Sequence, residues 1–166
     1  DLANPRGIAI GPAGRILVAE AGAGGASVSM TGHVSEVFHG RVRRLLTLPS
    51  IDARPGEVSG ATSVTTAGGM GEMFVTMGGG SGASFSLLLR ANPARTAVVA
   101  DLAAFEAVNN PDGVIPPDSN PYGSAAVGDG SVLVADAAAN DLLQVAPDGT
   151  IETVAVFPRA PNVLFG

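Results

Sequence analysis

The sequence predicts an all-β protein of the β-propeller kind: three four-stranded blades, half of a six-bladed ring, with one short helix between blades two and three. Three observations carry this. Residues 15–20 (RILVAE), 71–76 (GEMFVT) and 131–136 (SVLVAD) align, the first onto the second at an offset of 56 and the second onto the third at 60. Asn4-Pro5-Arg6-Gly7 aligns with Asn120-Pro121-Tyr122-Gly123 at 116, the sum of those offsets. The composition agrees, since 23 Gly and 12 Pro with only 4% aromatic residues favour short strands, small side chains and many turns. Short apolar strands between glycines, repeated at this period, are the mark of propeller blades. The repeats fall at about 1–56, 57–112 and 113–166 of a single domain.

In the first repeat the innermost strand is expected over 7–10. A Gly11-Pro12-Ala13-Gly14 turn follows, then strands over 16–19, 34–38 and 42–46. In the second repeat Ser63 takes the place of Gly7, Gly68-Gly69 the place of the turn, and 73–76 the second strand. Residues 78–82 (GGGSG) read as a flexible hairpin tip before a strand over 85–90; no Lys-Ser/Thr follows to make a phosphate loop. A helix is expected from Asp101 to about Val108, with Asp101 as N-cap and Leu102, Phe105 and Val108 on one face. Asn109-Asn110-Pro111-Asp112-Gly113 ends it, because Pro111 disfavours helical geometry in the residue before it. Residues 114–119, with Pro116-Pro117, form an irregular excursion of the sort that frames a binding site on one propeller face. The third repeat places strands at 122–127, 132–135, 141–146 and 150–157. Its turns, Gly128-Asp129-Gly130 and Pro147-Asp148-Gly149, suit tight hairpins.

Charge narrows the function classes. The net charge is −6 and every basic residue is Arg. Arg41, Arg43 and Arg44 form the one basic cluster and alternate as solvated strand residues would. Such a chain is a poor partner for nucleic acid or an anionic membrane surface. No apolar run reaches the roughly 20 residues that a spanning helix needs, so the reading is of a soluble protein. Without Cys, disulfides and thiolate chemistry are excluded. The chain starts at Asp1 with no visible leader, as a processed or trimmed chain would.

Two roles are open for Asp136, which ends a strand before an alanine-rich turn and Asn140. Glu20 and Thr76 hold the same place in the other repeats. Carboxylates here either line the central channel and hold a hard cation, or accept backbone hydrogen bonds and lock the hairpin. Asn4 and Asn120, each before Pro-x-Gly, either aim an amide oxygen at the channel mouth or simply start a turn. His33 and His39 are expected to be exposed, and with Glu36 they make no complete zinc set. No Ser sits in a Gly-x-Ser-x-Gly elbow.

The chain resembles the ScyD/ScyE family, secreted β-propeller proteins. The matching pieces are 2–7 (LANPRG) with 17–22 (LVAEAG), 75–80 (VTMGGG), and above all 99–106 (VADLAAFE) through 109–113 (NNPDG) to 119–123 (SNPYG). Residues 136–143 and 155–158 continue the match. The pattern resembles NHL-type repeats, in which Val-Ala-Asp precedes a turn and an Asn. Family members are about twice this length, so the likeness is to their first half, and cysteines associated with their first repeat are missing around 27–33. The resemblance implies a propeller, located outside the cytoplasm, whose reaction is not settled.

Two functions follow. One is a binding or scaffold propeller that uses the channel mouth, with Asn109, Asn110, Asp112, Asn120 and Tyr122 as ligand-binding residues. The other is a metal-dependent hydrolase or lyase of the lactonase or streptogramin-lyase kind, in which Glu20, Asn120 and Asp136 hold the ion, calcium being the candidate, as a Lewis acid. A half-ring leaves two apolar flanks open. Covering each with about 800 Å² of apolar contact is worth on the order of 20 kcal/mol before association costs. The expected partner is a second copy completing six blades, or a missing C-terminal half.

Overall fold

The computed structural model describes residues 1–66, 71–80 and 82–158. It is all-β apart from one α-helix and a short 3-10 turn at Pro12–Gly14. Three antiparallel sheets follow one another along the chain, each a simple meander. The first holds β1 (Pro5–Ile10), β2 (Ile16–Glu20), β3 (Ser29–Phe38) and β4 (Arg41–Arg54), with β5 (Glu57–Ser59) folding back on the end of β4. The second holds β6 (Ala61–Thr66), β7 (Met73–Met77), β8 (Leu87–Asn92) and β9 (Arg95–Asp101). Helix α1 (Leu102–Asn109) comes next. The third sheet is β10 (Pro121–Ala126), β11 (Val132–Asp136), β12 (Asp141–Val145) and β13 (Ile151–Val156).

The sheets stand as propeller-like blades. β6 touches both β1 and β10, so the first strands of the three sheets lie side by side. Leu17, Ala19, Val34 and Leu48 of the first sheet pack on Val64, Val75, Met77 and Leu89 of the second. On its other face the second sheet presents Phe74 and Leu88, with Leu102 of α1, to Val132, Val134, Leu143 and Val145. The middle sheet is thus covered on both faces, while each outer sheet is covered on one, and the three do not close into a ring. Alternation along β1 sends Ala9 inward and leaves Ile8 and Ile10 on the opposite face, 73% and 67% exposed.

The third repeat folds as expected. Asp129 Oδ1 accepts from Ser131 N–H (2.9 Å) and Asp148 Oδ1 from Thr150 N–H (3.0 Å), and Gly130 and Gly149 adopt φ of 88° and 92°. Backbone N–H groups favour the ionised carboxylates and hold both Asp residues below the usual range. The first repeat departs from expectation. β3 and β4 run far beyond 34–38 and 42–46, because bulges between Ser29 and Gly32 and between Val34 and Ser35 carry the pairing on. The Gly68-Gly69 turn and Ser81 lie outside the described residues.

The helix starts as expected, with Asp101 Oδ1 accepting from Ala104 N–H (2.9 Å). It ends at Asn110, whose left-handed φ of 41° forms the cap. Of the expected inward face, Leu102 is buried and Phe105 packs against the same core, but Val108 is 83% exposed and Glu106 is buried instead. Leu102 and Glu106 are four residues apart and share one face, so seating Leu102 in the core carries Glu106 beneath the helix.

Candidate functional site at the loop end of the sheets

Each sheet brings the start of its first strand and the end of its second to the same end of the molecule. The repeat is visible in the hydrogen bonds there. Ala21 N–H donates to Asn4 C=O (2.9 Å), Gly78 N–H to Gly60 C=O (2.9 Å) and Ala137 N–H to Asn120 C=O (3.1 Å). Pairing places Glu20 opposite Pro5, Met77 opposite Ala61 and Asp136 opposite Pro121. Met77, one residue beyond Thr76, is therefore the structural counterpart of Glu20 and Asp136, and the middle sheet has no carboxylate there. The alignment that puts Thr76 at this place is one residue out: Thr76 pairs with Ser63, and its side chain lies on the other face of β7.

The two carboxylates are saturated. Asp136, 2% exposed, accepts from Asn120 N–H (2.7 Å), Ala138 N–H (3.1 Å) and Ala139 N–H (3.2 Å) through Oδ1, and from the Ser119 hydroxyl (2.6 Å) through Oδ2. Glu20, fully buried, accepts from Ala3 N–H and from the Ser35 hydroxyl. Asn120 Oδ1 accepts from Gly79 N–H (2.7 Å), tying the 78–80 loop of the second sheet to the third. Asn120 and Asp136 therefore meet, while Glu20 keeps its own partners in the first sheet. Among the described residues no three Asp, Glu, His or Cys side chains gather as a metal site.

The glycine run is not a free tip. A Cβ on Gly78 would come within 2.7 Å of Thr62 Cγ2, and one on Gly79 within 2.7 Å of Ser119 C=O. These glycines let one backbone run hard against the next sheet, while the Ser59 hydroxyl donates to Gly79 C=O. Beside them a cavity of about 290 Å³ is lined by Arg54, Glu57, Gly79, Gly80, Asp118 and Asn120. A second, of about 600 Å³, lies under the excursion between Asp112, Pro116, Asp118 and Asn140. Asp118 borders both, and Arg54 and Asp118 are exposed.

The other expected ligand residues are dispersed around this end. Asp112 accepts from Val114 N–H (2.9 Å) and from Asn140 Nδ2–H (2.8 Å). Asn109 is exposed and its Nδ2–H donates to Phe105 C=O (3.0 Å). Asn110 caps the helix. The Tyr122 hydroxyl accepts from Arg6 Nη1–H (2.7 Å), so the matching positions of Asn4-Pro5-Arg6-Gly7 and Asn120-Pro121-Tyr122-Gly123 touch across the first strands. Neither histidine serves the site. His33 is buried rather than exposed, its Nδ1 3.2 Å from Leu46 C=O, and His39 is exposed in the β3–β4 turn against Phe38.

Glu106 is the residue that sequence reasoning missed. It is 1% exposed and faces Asp141, itself 2% exposed. Burial, then the charge of Asp141 and the hydrogen bond between the two carboxyls, with Asp136 and Asp112 further off, push the Glu106 carboxyl up to about 8; burial with Asp136 raises Asp141 to about 6 against that same hydrogen bond. The signal available beforehand was the Glu-x-x-Asn-Asn-Pro-Asp-Gly run at 106–113, an acidic residue in a segment lacking a basic partner.

No family model matches the chain, and no curated protein matches it. Among solved structures, a catalytically inactive variant of virginiamycin B lyase from Staphylococcus aureus, with quinupristin, is similar in fold at a TM-score of 0.56 and 17% identity. The match covers 95% of this chain and 42% of that one, so this chain spans less than half the neighbour's length. At that identity the likeness is one of fold, and it supports a propeller-like arrangement of the three sheets.

Proposed function

We propose that this chain is a binding or scaffold propeller, working outside the cytoplasm, that takes a small polar ligand at the loop end between Arg54, Asp118 and Asn120. One observation carries the reading: the groups fit for chemistry at this end are spent on holding it together. Asp136 accepts four hydrogen bonds and Asn120 Oδ1 one, which makes a rigid rim, while the exposed Asp118 and the Arg54–Glu57 ion pair (3.3 Å) place charged groups on the cavity wall. Pre-organised rims favour binding because little ordering remains to be done. The ScyD/ScyE-like motifs support an exported protein.

The second reading, a metal-dependent hydrolase or lyase of a small ester or lactone, is favoured by the fold likeness to a streptogramin lyase. It would need Glu20, Asn120 and Asp136 to exchange their present donors for an ion. A thermal-shift panel of polar small molecules on the wild type, Arg54→Ala and Asp118→Ala separates the two. Binding predicts ligands that raise the wild-type Tm and leave both variants unmoved, with no product by mass spectrometry. Turnover of a lactone or cyclic depsipeptide refutes it.

For partners, we infer a second copy of the chain completing a six-bladed ring. The support is the one-sided covering of the outer sheets, with Ile8 and Ile10 exposed on one and Val154 and Val156 (51% and 45%) on the other. Light scattering at micromolar concentration checks it: a clean monomer excludes the ring of two.

A further inference from the structure

Five buried side-chain oxygens receive no hydrogen bond from an N–H or hydroxyl group: Glu106 Oε1 and Oε2, Asp141 Oδ1 and Oδ2, and Asn110 Oδ1; between them the Glu106 and Asp141 carboxyls can share one proton. Their residues are neighbours. Glu106 faces Asp141, and Asn110 follows Glu106 by one helical turn, its N–H donating to Glu106 C=O (2.9 Å). Depth makes the vacancy of donors significant. At 1% and 2% exposure, Glu106 and Asp141 are beyond the reach of bulk water, and buried polar groups are ordinarily partnered.

We propose that Glu106, Asp141 and Asn110 form a calcium site that fastens α1 to β12. Every orphaned atom is an oxygen acceptor, so the missing partner is a proton or a hard cation. A single shared proton bridges one carboxyl to the other and leaves the remaining acceptors bare. A divalent cation balances both carboxylates and offers these acceptors a common partner. Calcium takes 6–8 oxygens, mixing mono- and bidentate carboxylates, amide oxygens and water, whereas magnesium demands a tighter octahedron and keeps most of its waters. Two carboxylates and one amide with water fit the first description. Imidazole and thiolate, which would favour zinc or copper, do not take part. Asp112 and Asp136 add negative potential from the flanks, while their own oxygens serve Val114, Asn140 and the 119–120 and 138–139 segments. The ion would pin the end of α1 to the third sheet, and with it the start of the excursion that borders the larger cavity. This assignment stands apart from the ligand reading above, since none of the three residues lines either cavity.

The test is calorimetric titration of the EDTA-treated full chain with calcium chloride at pH 7.5, paired with thermal unfolding. Expected are one saturable site, with a Kd between about 1 µM and 1 mM, and a Tm raised by several degrees at saturating calcium but hardly by equal magnesium. Glu106→Gln and Asp141→Asn should weaken calcium binding at least tenfold, Asn110→Asp should tighten it several-fold, and the exposed-site control Glu72→Gln should match the wild type. If the first two variants fail to fold, Asn110→Asp decides. No saturable binding up to 10 mM would overturn the site and leave a proton-sharing pair. Binding that persists in Glu106→Gln and Asp141→Asn, or is unmoved by Asn110→Asp, would place the ion elsewhere and equally overturn it.

Discussion

Replacing Asp136 by alanine removes an acceptor that serves three backbone N–H groups and one hydroxyl, all inside the junction of β10, β11 and the 137–140 turn. Hydrogen bonds to a charged group contribute about 1.5–3 kcal/mol each, and a buried donor left bare costs about 1–3 kcal/mol. The four are not additive, since a cavity the size of the lost carboxylate admits water to some of the N–H groups. A loss of about 3–5 kcal/mol is expected for Asp136→Ala, among the larger effects of single substitutions. At about 2–4 °C per kcal/mol for a chain of this size, the Tm should fall by about 10 °C. Asp136→Asn keeps an oxygen for the three backbone N–H groups and turns its amide towards Ser119. It should cost only about 1 kcal/mol. Urea and thermal unfolding followed by far-UV circular dichroism measure both. An alanine variant within about 0.5 kcal/mol of wild type would refute the locking role and return Asp136 to the pool of free ligands. Equal losses in the two variants would mean that charge, not acceptor count, matters.

Three further outcomes follow from the same structure. Leu88→Ala, at a fully buried position between the second and third sheets, should lose about 2–5 kcal/mol by urea denaturation. Gly60→Ala should lose about 3 kcal/mol in the same assay, because its Cβ would sit against the Ala21 carbonyl where the first two sheets cross; an unchanged midpoint would refute that close approach. Glu36 receives two hydrogen bonds from Arg15 Nη1 (2.9 Å each), and this pairing, with Arg43 nearby, holds its carboxyl below the usual glutamate range. A depressed carboxylate stabilises the fold above its unfolded pKa and loses that stability as pH falls through the folded value. Glu36→Gln should therefore be less stable than wild type by about 0.5–1 kcal/mol at neutral pH, and the gap should close below about pH 4.5 and shrink in high salt.

Much of the fold was legible because it is written locally. A hairpin needs only a dozen consecutive residues, so the third repeat, with Asp129 and Asp148 each bonding the N–H two residues on, could be read strand by strand. The N-cap at Asp101 is equally local. The β3–β4 ribbon runs past the expected strand ends because bulges between Ser29 and Gly32 and between Val34 and Ser35 carry the pairing on, and a bulge is defined only by the partner strand. The candidate site was legible in part: Asn120 and Asp136 do meet, but their oxygens prove to be committed within the rim.

The sequence by itself determined the number of sheets, the order of their strands and the end of the molecule where the repeated Asn-Pro and Asp motifs gather. Those follow from strand periodicity and turn chemistry, forces that act between near neighbours along the chain. Only the tertiary structure decided that Met77 stands where Glu20 and Asp136 stand, that the 78–80 glycines are clamped, that His33 is buried, and that Glu106 lies against Asp141. Each of these depends on how one sheet settles on the next. Burial and the field between charges are set by distances across the packed interface, and those distances leave no trace in spacing along the chain.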